Sequence, residues 1–291
     1  SKLLNQPPNV FTMLPIFCPM NISVLVSVYL GTKASDLAAC LESLLSQTLP
    51  AKEIVVVIDG PLAADTEYCL NQYCGRLPIK LLPFPTNRGL GLALRDGLVA
   101  CENELIARAD SDDISIPDRF QKQVTFMVEN STISIVGSAL RETYNFRRKS
   151  TEAIRNVPKT SGLSRRNRIR NPLNHPTVMY RKSHVISCGN YENCNFFEDY
   201  LLWAKLIQNG YKVANLCEPL VETTVDNEYF KRRGGIKYII NEIALCKRLL
   251  TIKYFSKIDA ATFLCTRIPL RLIPNRCRKL IYRTLLRSRS N

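Results

Sequence analysis

The chain contains very little histidine and no closely spaced pair of cysteines, which argues against a structural zinc site. His175 and His184 are the only histidines, and none of the eleven cysteines belongs to a C-x-x-C pair. The cysteines are odd in number and scattered through apolar segments. This pattern predicts reduced, buried thiols in a reducing compartment and not a disulfide framework.

Long apolar runs are absent too. No segment approaches the roughly 18 consecutive apolar residues that a membrane-spanning helix requires. The apolar stretch 11–20 is interrupted by Pro15 and Pro19, and it lacks both a basic leader and a small-residue cleavage site, so it does not resemble a signal peptide. We therefore expect a soluble or peripheral protein in which residues 1–20 form an N-terminal leader.

Acidic residues are scarce in the last part of the chain. Residues 231–291 contain 16 Lys and Arg but only two acids, Glu242 and Asp259, and the net charge of the whole chain is +15. Residues 276–287 place basic side chains on one helical face and apolar side chains on the adjoining face. Such a segment attracts nucleic acid, anionic lipid or a polyanionic substrate, and charge alone does not choose between them.

Short apolar segments alternate with helical patterns in the first half of the chain. Four segments rich in β-branched residues predict strands that are buried on both faces: 22–30, 53–58, 79–82 and 105–109. Leucines at helical spacing predict helices over 34–46 and 89–100. This βαβ alternation indicates a doubly wound α/β fold, whose ligand crevice lies beyond the carboxyl ends of the strands.

Acids stand at two of these strand ends. Asp59 ends the second strand, and Asp-Ser-Asp-Asp at 110–113 ends the fourth. Asp110 and Asp112 are one residue apart, so they can hold a divalent cation that offsets the charge of a bound nucleotide diphosphate. A lone D-x-D triplet also fits a solvated loop or a helix cap.

Residues 141–174 lose apolar periodicity and are rich in Arg, Asn, Thr and Ser. We expect a long mobile basic loop here, either a functional lid or a solvated segment. Regular structure is expected to resume with a strand at 177–180, a helix over 198–208 and basic helices from Gly235 onward.

A series of sequence blocks extends the signal well beyond the acidic triplet. The blocks are V-S-V-Y at 26–29, E-I-V-V-V-I-D-G-P at 53–61, N-R-G-L-G-L-A at 87–93, A-R-A-D-S-D-D-I-S-I-P-D-R-F at 107–120, N-H-P-T-V-M-Y-R-K-S at 174–183 and F-E-D-Y-L-L-W at 197–203. Over residues 22–225 the chain resembles the family 2 glycosyltransferases, and in particular the bacterial enzymes that build exopolysaccharide, capsule and O-antigen repeats. The resemblance implies a GT-A fold, with a Rossmann-like, mostly parallel sheet in a catalytic domain at 21–230 and a basic helical C-terminal region at 231–291.

The resemblance also implies roles on the donor side. Tyr29 would stack on the nucleotide base, Asp59 would read the uracil, and Asp110 with Asp112 would hold Mn²⁺ or Mg²⁺. The further donor contacts that it implies are Asn87, Gly89, Arg95, Arg108 and Asp110. Many relatives carry Arg and Asn where this chain has Leu94 and Arg95, so the chain departs from the family pattern there.

On the acceptor side the resemblance implies that Asp199 is the catalytic base, and that Glu198 contacts the acceptor or caps the helix. Both acids would also be favoured at a helix N-terminus by the helix dipole alone. His175 would be an acceptor contact, a third metal ligand, or a hydrogen-bonded residue before Pro176.

The function implied is inverting transfer from a UDP-sugar to an undecaprenyl-diphosphate-linked saccharide in O-antigen or capsule synthesis. UDP-glucose is the favoured donor, with UDP-galactose or a UDP-N-acetylhexosamine as alternatives. The resemblance places such an enzyme in the cytoplasm, peripheral at the inner face of the cytoplasmic membrane. There the basic C-terminal region would bind the anionic surface.

Two other functions compete with this interpretation. A sugar-phosphate nucleotidyltransferase shares the α/β architecture and the metal-binding acids, but the first strand ends in Tyr-Leu-Gly-Thr-Lys at 29–33 and not in an Arg-containing glycine-rich loop. A nucleic-acid-binding protein is suggested by charge only, and the acidic cluster argues against it, so no nucleic-acid partner is expected. A dinucleotide-binding fingerprint is rejected, because Leu94 stands where the third glycine is required.

Overall fold

A computed structural model describes residues 20–146, 149–158, 168–274 and 288–289. The predicted leader at 1–19, residues 159–167 of the expected basic loop, and the amphipathic segment at 276–287 lie outside this part of the chain. Within it, no helix is both long and apolar enough to cross a membrane.

The first half of the chain alternates strands and helices as the sequence pattern predicts. Its strands are β1 (Ile22–Val28), β2 (Glu53–Asp59), β3 (Ile79–Phe84), β4 (Leu105–Asp110) and β5 (Asp113–Ser115). Its helices are α1 (Ala34–Leu45), α2 (Ala64–Tyr73), α3 (Leu90–Ala100) and α4 (Arg119–Glu129). The helix α2 carries a weak apolar pattern, and no helix was predicted there.

The second half is built differently, with long strands and with helices that lie close together in sequence. Its strands are β6 (Ile133–Phe146), β7 (Lys149–Arg155), β8 (Met179–Arg181), β9 (Lys212–Val225) and β10 (Ser288–Arg289), and a short 3₁₀ turn covers His175–Thr177. Its helices are α5 (Lys182–Ser187), α6 (Glu198–Gln208), α7 (Asn227–Arg232), α8 (Ile236–Thr251) and α9 (Lys257–Leu272).

The strands form one sheet in the order β10-β7-β6-β8-β4-β1-β2-β3, and β9 pairs with both β6 and β5. Strands β1 to β4 run parallel, which confirms the expected arrangement of the donor half. Strand β8 is antiparallel to β4 and β6, so the antiparallel pairs lie in the half of the sheet that follows the D-x-D block.

Successive residues of β1 point to opposite faces of the sheet, and each face is covered by helices. Val24 and Val26 pack on the face that α1 and α4 cover, whereas Leu25 packs on the face that α3 and α6 cover. Near-continuous apolar strands of this kind are stable only when both faces are covered. The doubly wound architecture predicted from the sequence is therefore confirmed.

The prediction of a mobile loop over 141–174 is wrong for residues 141–155. Strand β6 continues to Phe146, pairs antiparallel with β7 and runs parallel to β9. Arg141, for example, lies opposite Ile154 on one side and Glu222 on the other. Inter-strand hydrogen bonds supplied by distant β9 stabilise a segment whose own apolar periodicity is too weak to show a strand.

Helices α8 and α9 pack on each other and on α6, around a third apolar cluster. The two acids of this region are both buried. Glu242 accepts hydrogen bonds from Arg271 at 2.8 Å and from Arg267 at 3.2 Å, and Asp259 forms a capping box with Ser256 at the start of α9. The described part of the C-terminal region is helical, as predicted, and covers α6.

The nine cysteines of the described residues are all free, in agreement with the expected absence of disulfides. Burial was predicted for them as well. That prediction is wrong for Cys74, Cys217 and Cys265, which are exposed.

Candidate active site

Three aspartates meet at the carboxyl end of β4. Carboxylate oxygens of Asp110, Asp112 and Asp113 all lie within 4.8 Å of one another. The turn between β4 and β5 brings them together, and the pairing of β5 with β9 holds that turn in place. Asp113 was not among the predicted ligands, although the D-S-D-D sequence contains it.

The charges of this cluster oppose one another. Asp112 is exposed at the surface, yet the neighbouring protein atoms desolvate its carboxylate in part, and this desolvation, followed by the charge of Asp110, raises its pKa to about 6. Burial and the same neighbour raise the pKa of Asp113 well above its ordinary value. A divalent cation relieves such repulsion, and carboxylate oxygens are the ligands that Mg²⁺ and Mn²⁺ prefer. These residues therefore fit the metal that the D-x-D block implies.

Arg108 lies beneath this cluster. Its side chain is only 1% exposed, and its guanidinium forms an ion pair with Asp110. We had expected Arg108 to contact the donor directly. Because the side chain is buried, its role in the structure is to hold the Asp110 carboxylate in place.

The R-F-x-x-Q part of the block is a scaffold for the cluster. The buried Arg119 donates to the Arg108 carbonyl at 2.7 Å and to Ser115 Oγ at 2.9 Å. Gln123 in turn donates to the Thr177 carbonyl at 2.7 Å. These bonds tie β4, β5 and the 3₁₀ turn together beneath the aspartates.

A second pair of acids opens helix α6. The buried Asp199 accepts one hydrogen bond on each oxygen, from the Tyr200 N–H at 2.6 Å and from Asn171 Nδ2 at 2.6 Å. Burial raises the pKa of Asp199, and these two donors oppose that rise. Burial and the Asp199 charge raise the pKa of Glu198 to about 8. Glu198 therefore keeps its proton to a higher pH than an ordinary glutamate, whereas the two donors on Asp199 favour the ionised form of that carboxyl group.

The donor helix comes close to this acid pair because Gly91 has no side chain. A Cβ at Gly91 would lie 3.3 Å from the Cβ of Glu198 and would clash with the carbonyl oxygen of Glu192. The acid pair of α6 and the first turn of α3 therefore share one wall of the crevice.

Asp59 organises the loop that leads into α3. Its buried carboxylate accepts hydrogen bonds from the backbone N–H groups of Arg88 at 2.8 Å and Gly89 at 2.9 Å. The Asn87 side chain donates to the backbone carbonyl of Asp59 at 3.1 Å. Gly89 has φ of +89°, a conformation that favours glycine. The structure thus shows how Asp59 positions the loop, and its contact with a uracil stays a prediction.

The comparisons with known proteins decide between the interpretations. The sequence model described as Glycosyl transferase family 2 matches residues 23–192, which is more than half of the chain. The chain belongs to this family. The prediction of a glycosyltransferase from the sequence blocks is thereby confirmed.

Two curated relatives match this family 2 glycosyltransferase over nearly their whole length. One is the amylovoran biosynthesis glycosyltransferase AmsE of Erwinia amylovora, 35% identical and covering 89% of this chain and 97% of its own. The other is the UDP-Gal:alpha-D-GlcNAc-diphosphoundecaprenol beta-1,3-galactosyltransferase of Escherichia coli. It is 34% identical and covers 91% of this chain and 96% of its own.

Among solved structures, S. aureus TarS in complex with UDP-GlcNAc matches with a TM-score of 0.66. The match covers 87% of this chain and 72% of that one, at 18% sequence identity. At this identity the likeness concerns the fold alone, and it confirms the GT-A fold class.

In the family 2 glycosyltransferase described here, Tyr29 is the exposed aromatic at the carboxyl end of β1, with 45% of its surface accessible. Its N–H donates to Thr32 Oγ1 at 3.1 Å. A Cβ at Gly31 would lie 2.6 Å from the Tyr29 ring, so the glycine leaves room for the ring to lie over the turn. The ring is therefore accessible at the crevice, and its stacking on a nucleotide base stays a prediction.

Arg88 and Arg95 share one partner on α3. Arg88 lies 3.5 Å over the Phe84 ring and bonds Asp96 at 2.9 Å, and Arg95 bonds the other oxygen of Asp96 at 2.9 Å. Among the described residues, no hydrogen-bond partner is found for Nε and Nη2 of Arg88. Only Arg95 was predicted as a donor contact. Arg88 stands inside the N-R-G block, in the loop whose backbone Asp59 binds. It was not predicted as a donor contact.

His175 does not join the acidic cluster in the described part of the chain. Its Nε2 lies 3.1 Å from the Tyr191 hydroxyl, and its ring meets the Trp203 ring edge-on at 6.0 Å. Burial, followed by the charge of Arg108, lowers the pKa of His175 well below its ordinary value, so the ring is neutral. The metal-ligand alternative for His175 is therefore not supported, and the hydrogen-bonded alternative agrees with the structure.

Two further site residues were missed by the sequence analysis. Asn171 belongs to the N-P-L-N-H-P segment that precedes the recognised block, and only the fold shows that it reaches Asp199. Arg232, an exposed residue at the end of α7, lowers the pKa of Asp112 through its charge. It is thus an exposed cation that lies close enough to the aspartates for its charge to act on Asp112.

Proposed function

We propose that this enzyme transfers a hexose from a UDP-sugar, with inversion, to a hydroxyl group of an undecaprenyl-diphosphate-linked saccharide in bacterial surface polysaccharide synthesis. The observation that carries the proposal is the pairing of the aspartate cluster at β4 with a buried acid pair in which Asp199 accepts two hydrogen bonds that favour its ionised form. The relatives named for amylovoran biosynthesis and for transfer to alpha-D-GlcNAc-diphosphoundecaprenol support the acceptor class.

The proposed reaction is a single displacement at C1 of the donor sugar. Asp199 takes the proton of the acceptor hydroxyl, the new bond from that oxygen to C1 forms, and the bond from C1 to the diphosphate breaks. The base and the leaving group lie on opposite faces of C1, so the configuration inverts. Glu198 keeps its proton and can donate a hydrogen bond to the acceptor.

Asp110, Asp112 and Asp113 would hold the Mn²⁺ or Mg²⁺ ion. When bound, the ion stabilises the negative charge on the departing diphosphate as a Lewis acid. Arg108 fixes Asp110 from below, and Arg232 adds positive charge that acts on Asp112.

For the donor, the family resemblance favours UDP-glucose, whereas the Escherichia coli relative is named for UDP-Gal. These two sugars differ only in the configuration at C4. The crevice elements described above concern the base and the diphosphate, so both donors belong in the first screen.

The test is a UDP-release assay with UDP-glucose, UDP-galactose and UDP-GlcNAc, each with Mn²⁺ or Mg²⁺ and with alpha-D-GlcNAc-diphosphoundecaprenol. We expect metal-dependent and acceptor-dependent release of UDP with one hexose donor. Pyrophosphate release from UTP and a sugar phosphate, without any transfer, would instead establish the nucleotidyltransferase alternative.

We further propose that the exposed faces of α8 and α9 bind an anionic membrane surface, where the lipid-linked acceptor is found. Four large apolar side chains there are 59% to 73% exposed: Ile236, Ile240, Ile258 and Leu272. Basic side chains on the surface of the same helices are Lys237, Lys247, Arg248 and Lys257. Both acids of residues 231–274 are buried, so α8 and α9 contribute no exposed carboxylate of their own, and the partly exposed Glu192 beside them pairs with Arg248 at 3.3 Å. Apolar and basic groups together favour an anionic bilayer.

The membrane proposal is tested by sedimentation with phosphatidylglycerol vesicles and with phosphatidylcholine vesicles. Replacing all four apolar residues by serine should abolish binding to the anionic vesicles and leave transfer to a short-chain, water-soluble acceptor unchanged. Tyr68→Ser with Val99→Ser is the matched control, because these residues are equally exposed on α2 and α3. Equal binding by the quadruple variant would contradict the proposal.

A further inference from the structure

An exposed aromatic residue stands directly before the acid pair, in a backbone conformation that aromatic residues rarely adopt. The Phe197 N–H donates to the Cys194 carbonyl at 2.8 Å, which closes a turn over Cys194–Phe197. Phe196 is the third residue of that turn and has φ of +68°. Turns with a positive φ at this position favour Gly or Asn, since a Cβ is strained there. The chain therefore tolerates backbone strain to keep a phenyl ring at this point.

Burial of the ring does not compensate for that strain. Phe196 is 48% exposed, and its ring meets the ring of Tyr238 of α8, at 5.2 Å between ring centroids. Tyr238 is itself buried and is held by the Phe197 ring and by Arg271 over its face. One side of the Phe196 ring thus rests on a rigid layer, and the rest of the ring faces solvent.

The position of the ring relates it to the chemistry. Phe196 stands two residues before Glu198, at the N-terminus of α6, and its ring meets Tyr238 in the first turn of α8. The ring therefore belongs to the same helix N-terminus as the acid pair, on the side where α8 begins. Among the aromatic side chains whose exposure the structure describes, only Tyr29, Tyr68 and Phe196 are exposed. Tyr29 lies at the donor end of the crevice and Tyr68 lies away from it on α2.

We propose that Phe196 is the platform on which the sugar ring of the acceptor lies while its hydroxyl group faces Asp199. The proposal rests on the proposed function. A pyranose ring has one face of C–H groups, which packs on an aromatic face, and a rim of hydroxyl groups, which need polar partners. Phe196 offers the aromatic face for the C–H groups, and Glu198 and Asp199 are the polar partners for the hydroxyl groups.

The first experiment measures the acceptor KM, the donor KM and kcat of Phe196→Ala, Phe196→Tyr and the control Tyr68→Ala. Loss of the ring should raise the KM for alpha-D-GlcNAc-diphosphoundecaprenol by roughly three- to tenfold, the effect expected for one aromatic stacking contact. The donor KM should not change. Phe196→Tyr and Tyr68→Ala should both behave as the wild type, and an unchanged acceptor KM in Phe196→Ala overturns the proposal.

A second experiment separates substrate contact from packing. Phe196→Gly and Phe196→Ala both remove the ring, but glycine accepts the positive φ without strain. We expect Phe196→Gly to have the higher Tm of the two, while both variants show the same increase in acceptor KM. If the acceptor KM instead follows the order of the two Tm values, the ring has a structural role and the proposal is wrong.

A third experiment distinguishes the sugar from the lipid. The same GlcNAc diphosphate is attached to a short alkyl chain and to undecaprenol, and Phe196→Ala should raise the KM equally for both. A change for the undecaprenol acceptor alone would assign the ring to the lipid and overturn the sugar platform. If the wild-type enzyme transfers no sugar from any UDP-sugar to either acceptor, the proposed function itself fails, and this outcome is distinct from an unaltered KM in Phe196→Ala.

Discussion

The two walls of the crevice are built in different ways. The donor wall comes from consecutive βα units, so Tyr29, Asp59 and Asp110 stand at the ends of neighbouring parallel strands. The acceptor wall joins residues from three separate segments, among them Asn171, Asp199 and Tyr238, through a turn, a helix N-terminus and a packed C-terminal helix. Donor residues are therefore arranged by the sheet, whereas acceptor residues depend on contacts between distant parts of the chain.

The largest effect that this comparison predicts is the loss of the acceptor-side base. Asp199→Asn should lower kcat by about 10²- to 10⁴-fold, because proton transfer from the acceptor hydroxyl loses its carboxylate. The affinity for UDP should stay unchanged, because the donor wall is intact. Steady-state kinetics and UDP titration measure the two separately. A variant that keeps full turnover would remove Asp199 as the base.

The corresponding loss on the donor wall should affect the metal. Asp112→Asn should abolish the gain in UDP affinity that Mn²⁺ provides and lower kcat by about 10²-fold, since the diphosphate then departs with less stabilisation. Asp118→Asn is the matched control, because Asp118 pairs with Lys122 at 2.7 Å outside the cluster. Mn²⁺-dependent UDP binding by Asp112→Asn equal to that of the wild type would contradict the metal assignment.

A smaller effect is expected from Asn171, which positions Asp199 without touching the acceptor. Asn171→Ala removes one of the two hydrogen bonds to the ionised carboxylate, so the pKa of Asp199 should rise. The acid limb of the kcat profile then shifts to higher pH, with a loss of about tenfold at the acid end and recovery at alkaline pH. Asn209→Ala is the control, since the Asn209 side chain donates to the Lys205 carbonyl at 2.8 Å, at the other end of α6. A loss that is uniform across pH would indicate a merely structural role.

The smallest effect concerns stability and not turnover. The pKa of Glu198 is about 8 in the folded protein, against 4.5 as its ordinary value. The folded state therefore holds a proton that the unfolded state has released, and stability falls as the pH rises through this range. Glu198→Gln cannot ionise, so its Tm should equal that of the wild type near pH 5. Near pH 8 its Tm should be higher than that of the wild type. The difference should be about 2 to 4 °C for each kcal/mol of stability that the wild type loses between the two pH values.

Turnover provides the control for this variant. Glutamine resembles the protonated form of Glu198, so Glu198→Gln should retain most of the activity that Asp199→Asn loses. Differential scanning calorimetry at both pH values decides the stability prediction. A Tm difference that does not depend on pH would contradict the assignment of the proton to Glu198.

Structure could be predicted from the sequence where it follows from local order, and could not be predicted where it depends on a distant partner. The strands of the donor wall are marked by apolar runs and the metal site by adjacent aspartates, so both could be read directly. The hairpin of β6 and β7 was missed because β9, the pairing partner of β6, lies about eighty residues further on. Phe196 gave no signal, because neither its exposure nor its positive φ is visible in the sequence.

The sequence by itself determined the family, the doubly wound fold and the identity of the acids, because apolar periodicity and short motifs are properties of neighbouring residues. The tertiary structure decided how these acids are protonated and what surrounds them. Burial and mutual repulsion assign the proton to Glu198, Asn171 reaches Asp199 across 28 positions of the chain, and α8 brings Tyr238 under Phe196. Desolvation and through-space charge depend on distances in the folded chain, and spacing along the sequence does not report them.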